Sequence, residues 1–179
     1  MSNKNNEEKK DVFFKPGQGS GDNGMTSLLG NRRVPKTHPI IKLNALLDEA
    51  NAIAGMLKAE TGQMPLPGLE TDFSAELGAI QKLIMKFSAK TAGFPENIAS
   101  EQKILENKAR NLNKKIIPPK EFIIPGSNKS EALAHLLRTK IRLCEIAAWE
   151  AGESDTAVIL NRLSDYLFLL ALCLKNYKH

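Results

Sequence analysis

Apolar residues return every three or four positions through most of this chain, a spacing that predicts helices. From about residue 40 to 60, Leu43, Leu46, Leu47, Ala50, Ile53, Ala54 and Leu57 mark one face. Pro65 and Pro67 break that helix, because proline lacks the backbone donor and crowds the preceding turn. A second helix is expected from about residue 71, buried through Phe73, Leu77, Ile80, Ile84 and Phe87 and ended by Gly93. Pro95 suits the first turn of a third, which carries Ile98, Leu105, Ala109 and Leu112 until Pro118 and Pro119 stop it. The run Glu121-Phe122-Ile123-Ile124-Pro125-Gly126 reads as an extended lead into Ser127, the expected N-cap of a fourth helix. Gly152 ends that helix, and Ser154 caps a fifth that runs to about Asn176. With no convincing strand and no internal repeat, the expected fold class is all-α: a five-helix bundle preceded by a glycine-rich loop at residues 17–30.

At 3.6 residues per turn, Leu133, Leu137, Ile141, Cys144 and Ala148 share the core face of the fourth helix. His135, Arg138, Arg142 and Glu145 form a polar stripe beside it. On the fifth helix the core face is Leu160, Leu163, Leu167, Leu170 and Leu174, while Asn161, Ser164 and Asp165 lie together elsewhere. Asn44, Asp48 and Asn51 align on the first. A polar stripe is usually a solvated face. Here, however, arginines one turn apart repel unless an anion lies between them, and asparagine and serine are not the usual long charged cover of an exposed helix. Two guanidiniums can grip a triphosphate through directed, charge-assisted hydrogen bonds.

Composition sharpens this without redirecting it. The 179 residues suffice for one well-buried domain, and 42% apolar with 25% charged residues suits a soluble one. The expected layout is a disordered, lysine-, asparagine- and glutamate-rich tail at residues 1–16 and a single domain at 17–179. The net charge of +5 is mild and dispersed. It suits a nucleoside triphosphate, and no basic run with interleaved aromatics points to nucleic acid. Cys144 and Cys173 lie in apolar helical patterns without metal spacing, so buried free thiols and no metal site are expected. The longest apolar run, residues 166–174, is too short to cross a bilayer, and the N-terminus has no signal character. A cytoplasmic protein with no membrane contact is expected.

Gly19-Ser20-Gly21-Asp22-Asn23-Gly24 fits G-x-G-x-x-G, but no strand precedes it, so the dinucleotide reading fails. Residues 19–26 nearly fit a phosphate-binding loop, with Met25 where lysine is required. Either a flexible entry segment or backbone N–H groups approaching phosphates remains open.

Together these residues resemble the propanediol-utilisation (PduO) type of ATP:cob(I)alamin adenosyltransferase, a homotrimer of five-helix bundles. The resemblance rests on five ordered matches. They are Gly21-Asp22-x-Gly24-x-Thr26-Ser27-Leu28-x-Gly30 with Arg33-Val34-x-Lys36; Asp48-Glu49-x-Asn51; and Phe122-Ile123-Ile124-Pro125-Gly126. Then follow His135-x-x-Arg138-Thr139-x-x-Arg142-x-x-Glu145 and Leu160-Asn161-Arg162-Leu163-Ser164-Asp165. The resemblance implies transfer of the 5′-deoxyadenosyl group of ATP to Co(I) of a corrinoid, with Mg²⁺ and release of triphosphate. It implies ATP contacts from Gly21, Asp22, Gly24, Thr26, Lys36, Arg142, Glu145 and Asn161, in a site between subunits. Asp48 would pair with Arg138 across that interface, and Phe122 would press on the corrinoid and keep the lower axial ligand from cobalt; these three are the catalytic set.

The chain departs from the family at Gln18-Gly19-Ser20, where a Thr-Lys/Arg-Thr triplet is usual, at Ile40 for arginine, Asn44-Ala45 for Tyr-Gly, and Leu143 for a second arginine. Each change but Asn44-Ala45 removes positive charge from the expected ATP site. Two alternatives stand beside the enzyme: a divergent relative that binds corrinoid or nucleotide without transfer, and a structural helical bundle.

Overall fold

All five expected helices form in the computed structural model, which describes residues 21–67 and 71–175. They are α1 (Pro39–Thr61), α2 (Phe73–Thr91), α3 (Glu101–Asn113), α4 (Lys129–Glu150) and α5 (Ser154–Lys175). The expected tail, the Gln18-Gly19-Ser20 departure and Asn176 lie outside the described residues.

The expectation of no strand is corrected. β1 (Met25–Ser27) and β2 (Arg33–Pro35) pair antiparallel, with Thr26 opposite Val34. Three residues per strand are too few for alternation to register in a sequence. A tight helical turn at Leu29–Asn31 joins them, with Gly30 at φ +74°, where a side chain would be strained. The Leu29 N–H donates to the Ala92 carbonyl (3.1 Å), which docks the hairpin tip on the C-terminal end of α2.

Two helix starts also differ. The third begins at Glu101, six residues after Pro95, because Asn97 Oδ1 takes the Ala99 N–H (3.0 Å) and holds a turn there. The fourth is capped by Asn128 rather than Ser127. Asn128 Oδ1 accepts from the Glu131 N–H (2.8 Å) while its Nδ2 donates to the Leu174 carbonyl (2.8 Å), so the two ends of one amide cap α4 and tie it to the end of α5. Ser154 is already the first residue of α5, behind Gly152 at φ +76°.

The helices follow the lateral order α2, α1, α4, α5, α3. Salt bridges Glu76–Lys108 (2.6 Å) and Lys86–Glu101 (2.8 Å) bring α3 back against α2. Leu43, Leu47, Leu57, Leu77, Phe87, Leu137, Ile141, Leu160 and Leu167 are among the fully buried residues; each contributes about 1.5–3 kcal/mol. Three ion pairs of 2.7 Å each, Lys42–Glu150, Glu49–Lys140 and Glu60–Lys129, set α1 antiparallel to α4. Taken whole, α5 is long and apolar enough to cross a membrane, beyond its short apolar run. Its apolar side chains are occupied otherwise: Leu160, Leu163, Tyr166, Leu167, Leu170 and Leu174 are buried against the rest of the bundle.

Candidate functional site

The hairpin gathers the N-terminal candidates. Gly24 turns the chain at φ +76°, its N–H reaching the Gly21 carbonyl (3.2 Å) and its carbonyl accepting from the Lys36 N–H (2.8 Å). Asn23 Oδ1 takes the Met25 N–H (3.2 Å) and closes the same turn. The Lys36 ammonium then lies over Gly21, where a Cβ would stand 3.1 Å from Nζ. Gly21, Gly24, Thr26 and Lys36 are therefore one local unit, with Asp22 exposed at its rim. The glycines keep this backbone open and seat one cation on it.

A second unit lies along α4 and α5. The guanidinium carbon of Arg138 is 5.9 Å from the centre of the Phe168 ring, a cation–π distance. The His135 ring meets Phe168 edge-on, at 6.1 Å and 61°. These contacts set the antiparallel register of α4 and α5, so one turn along, Arg142 comes level with Ser164, and Glu145 with Asn161. The predicted polar stripe thus exists but grades outward. His135 is buried, Arg138 half-buried, and Arg142 exposed beside half-buried Glu145 and Asn161. Burial first, then the positive charge of Arg138, pulls the His135 pKa below its ordinary value against the opposing pull of Glu131.

Arg138, Arg142, Lys36, Asp48 and Glu145 form no side-chain hydrogen bond or ion pair with any described residue. Most striped helix surfaces spend their charges locally, as Lys42, Lys90, Lys108, Lys129 and Lys140 do here. Arg138 goes further: its Nε is shut off from solvent and has no acceptor. An orphaned guanidinium N–H costs free energy that a carboxylate or phosphate would recover.

Asp48 does not meet Arg138 within the protomer. Glu49 pairs with Lys140, so Asp48 stands near the height of Arg138, but it faces α2. There it lines a cavity of about 250 Å³ with Asn51, Ile84, Met85 and Ser88. Asn51 Oδ1 is buried without a donor, and Asn44 is already bonded to the Thr91 hydroxyl (2.8 Å). The aligned Asn44, Asp48 and Asn51 stripe is a face toward α2.

Phe122 is fully exposed, on the loop that leads into the N-terminus of α4. The glycine unit sits at the other end of the bundle, where α1 begins and α2 ends. Since α4 is 22 residues long, roughly 30 Å separates the two ends. Phe168 was missed in the sequence, although it lies seven residues after Asn161 on the same stripe. Glu131 was missed as well, although Asn128-x-x-Glu131 before an apolar run has the spacing of a capping box.

Residues 18–174 match the model of the family described as Cobalamin adenosyltransferase. The chain belongs to the cobalamin adenosyltransferase family. Similar family members include the corrinoid adenosyltransferase of Citrobacter freundii, 31% identical over 165 residues that span 85% of this chain and 90% of that one. The corrinoid adenosyltransferase of Bacillus subtilis is 34% identical over 165 residues, spanning 85% and 82%. Among solved structures of the family, a phenylalanine-to-alanine variant of the PduO-type ATP:corrinoid adenosyltransferase from Lactobacillus reuteri, complexed with cobalamin and ATP, is similar. It has a TM-score of 0.74 and 25% identity, covering 87% of this chain and 91% of that one. An arginine-to-lysine variant of the same enzyme, complexed with ATP, also has a TM-score of 0.74 at 25% identity, with the same coverage. Within this cobalamin adenosyltransferase fold, the two polar units described above occupy the hairpin and the α4–α5 face.

Proposed function

We propose that this protein transfers the 5′-deoxyadenosyl group of ATP to Co(I) of a corrinoid. The observation that carries the reading is Arg138, stacked on Phe168 with a buried, unpaired Nε, one turn before the uncommitted Arg142. Family membership supports the same chemistry. In the reaction the Co(I) electron pair forms a bond to the 5′ carbon. The C–O bond breaks, and its electrons leave with triphosphate. The chain has no need of a nucleophile, and its thiols are unsuited to be one. Burial pushes Cys144 up to about 12 and Cys173 up to about 11, so both are protonated at neutral pH.

The roles follow from position. Lys36 over the Gly21–Thr26 hairpin and Arg142 neutralise the triphosphate, and Asp22, Glu145 and Asn161 fix the nucleotide and the Mg²⁺ that accompanies it. Phe122 presents an apolar ring that excludes water and an axial ligand from cobalt, which eases reduction to Co(I).

We place the complete site between subunits of a homotrimer. The hairpin and the Phe122 loop lie at opposite ends of one bundle, and Asp48 faces away from Arg138, so one protomer does not assemble the set. The outer face of α4 carries Leu136, Leu143 and Ile146, all about half exposed, which suits burial against a second copy. Use of ATP and two free cysteines suit the cytoplasm.

Purified protein mixed with ATP, Mg²⁺, cob(II)alamin and a reductant should form adenosylcobalamin, followed by absorbance. No product rejects transfer. A shifted spectrum of bound cob(II)alamin without product would assign the chain to corrinoid binding alone.

A further inference from the structure

On the first turn of α4, just after the Phe122 segment, lies a carboxylate that the reading above leaves unused. Glu131 is completely buried. Its Oε2 accepts two backbone hydrogen bonds, from the N–H of Gly126 (2.7 Å) and of Ser127 (3.1 Å). Its own N–H is held by Asn128 Oδ1 (2.8 Å), so the carboxylate is rooted in the first turn of α4, where the helix dipole favours negative charge. The second oxygen, Oε1, stands 3.2 Å from His135 Nε2, too poorly aligned for a hydrogen bond.

Those two backbone bonds are the only hydrogen bonds that residues 117–127 make with described residues. The tethered turn is also one that only glycine takes without strain. Gly126 has φ +123°, one of many conformations open to glycine, so the backbone here does not by itself fix the direction of the chain. Four residues upstream, Phe122 is fully exposed, with no packing of its own to say where it stands. Its location therefore depends on the anchor at Gly126. Charge-assisted bonds donated by backbone N–H groups to a buried carboxylate are among the strongest between backbone and side chain.

We propose that Glu131 is a positioning residue for the corrinoid: by tethering Gly126 and Ser127 it sets where the Phe122 ring stands before substrate arrives. This rests on Phe122 as the corrinoid contact. Through His135, the same carboxylate adjoins Phe168, whose ring also carries Arg138.

The test uses the full chain with Glu131→Ala and Glu131→Gln. Hydrogen exchange of the free protein should show the Gly126 and Ser127 amides at least tenfold faster in Glu131→Ala, with core amides of α5 such as Leu167 unchanged. In the transfer assay the corrinoid KM should rise about tenfold and the ATP KM stay put. Glu131→Gln keeps one acceptor oxygen and should restore most of both. Unchanged exchange at the two amides overturns the tether. Faster exchange with unchanged corrinoid KM and kcat overturns the positioning role. If Glu131→Ala loses protection throughout the core, the same two readouts on Glu131→Gln decide: wild-type exchange and KM support the proposal, and faster exchange with wild-type KM rejects it. A wild-type protein that neither binds nor turns over corrinoid removes the corrinoid role along with the function, while protected amides would preserve the tether.

Discussion

Arg138 lies with its guanidinium carbon 5.9 Å from the centre of the Phe168 ring, and its Nε is buried with no acceptor. Stacking holds the side chain in place while one directed donor stays unspent, an arrangement that favours an incoming anion over fold stability. Arg138→Met keeps the apolar stem and deletes the orphan donor. Stability should change by no more than about 1 kcal/mol, because losing the cation–π contact with Phe168 and removing the orphaned donor act in opposite directions. Transfer should fall by roughly 10²- to 10³-fold, the usual cost of removing a charge-stabilising donor. Urea unfolding and single-turnover rates measure the two; a stability loss with normal rate rejects the assignment.

Asp48 and Arg138 stand at nearly one height on different faces, so an interface is needed to join them. Asp48→Ala and Arg138→Ala should each be nearly inactive alone. Mixed after unfolding and refolding together, they should regain part of the activity, because some interfaces would combine an intact Asp48 with an intact Arg138. No recovery in an assembly shown to contain both variants would exclude an inter-subunit pair.

Gly21→Ala places a Cβ 3.1 Å from Lys36 Nζ, closer than ordinary van der Waals contact. The lysine must move while the backbone need not. ATP KM should rise up to about tenfold, equivalent to about 1.4 kcal/mol, with corrinoid KM and melting temperature little changed. Isothermal titration with ATP checks it.

His135 predicts a pH dependence with a definite sign. Burial is the largest cause of its lowered pKa, the Arg138 charge adds to it, and Glu131 opposes both. The unfolded chain therefore binds this proton more readily than the folded one. The contribution to stability is fully present above the ordinary value of 6.5 and is lost as pH falls below it toward the lower folded-state value. Urea midpoints should drop between pH 7 and 5, with a slope from this group of at most about 1.4 kcal/mol per pH unit. His135→Leu should flatten that slope; an unchanged profile would assign it to other groups.

Glu76 is buried, and Lys108 reaches both its oxygens at 2.6 and 2.8 Å while lying 6.0 Å over the Tyr166 ring. Lys108→Met strands the carboxylate among apolar neighbours. Unfolding free energy should fall by about 2–4 kcal/mol, and adding Glu76→Leu should recover much of it. A small loss in the single variant would mean that water already reaches Glu76.

Helix existence was legible because long amphipathic runs repeat their signal many times. Leu43 through Leu57 and Leu160 through Leu174 each mark a face over four turns, and both bury it. The caps were less legible. Asn128 outcompetes Ser127 through a bond to the Leu174 carbonyl 46 residues away, a partner no local pattern contains. The hairpin escaped notice for a similar reason: it owes its place to Leu29 meeting Ala92.

The sequence by itself determined the five amphipathic helices and the motifs that carry the family chemistry, since both are written in spacing along the chain. Only the tertiary structure decided which charges are spent and which are free. It left Arg138 orphaned on Phe168, turned Asp48 toward α2, and set Glu131 as the anchor of the Phe122 loop. Helical spacing sets which face a residue joins. What that face meets depends on packing between helices that are distant in sequence.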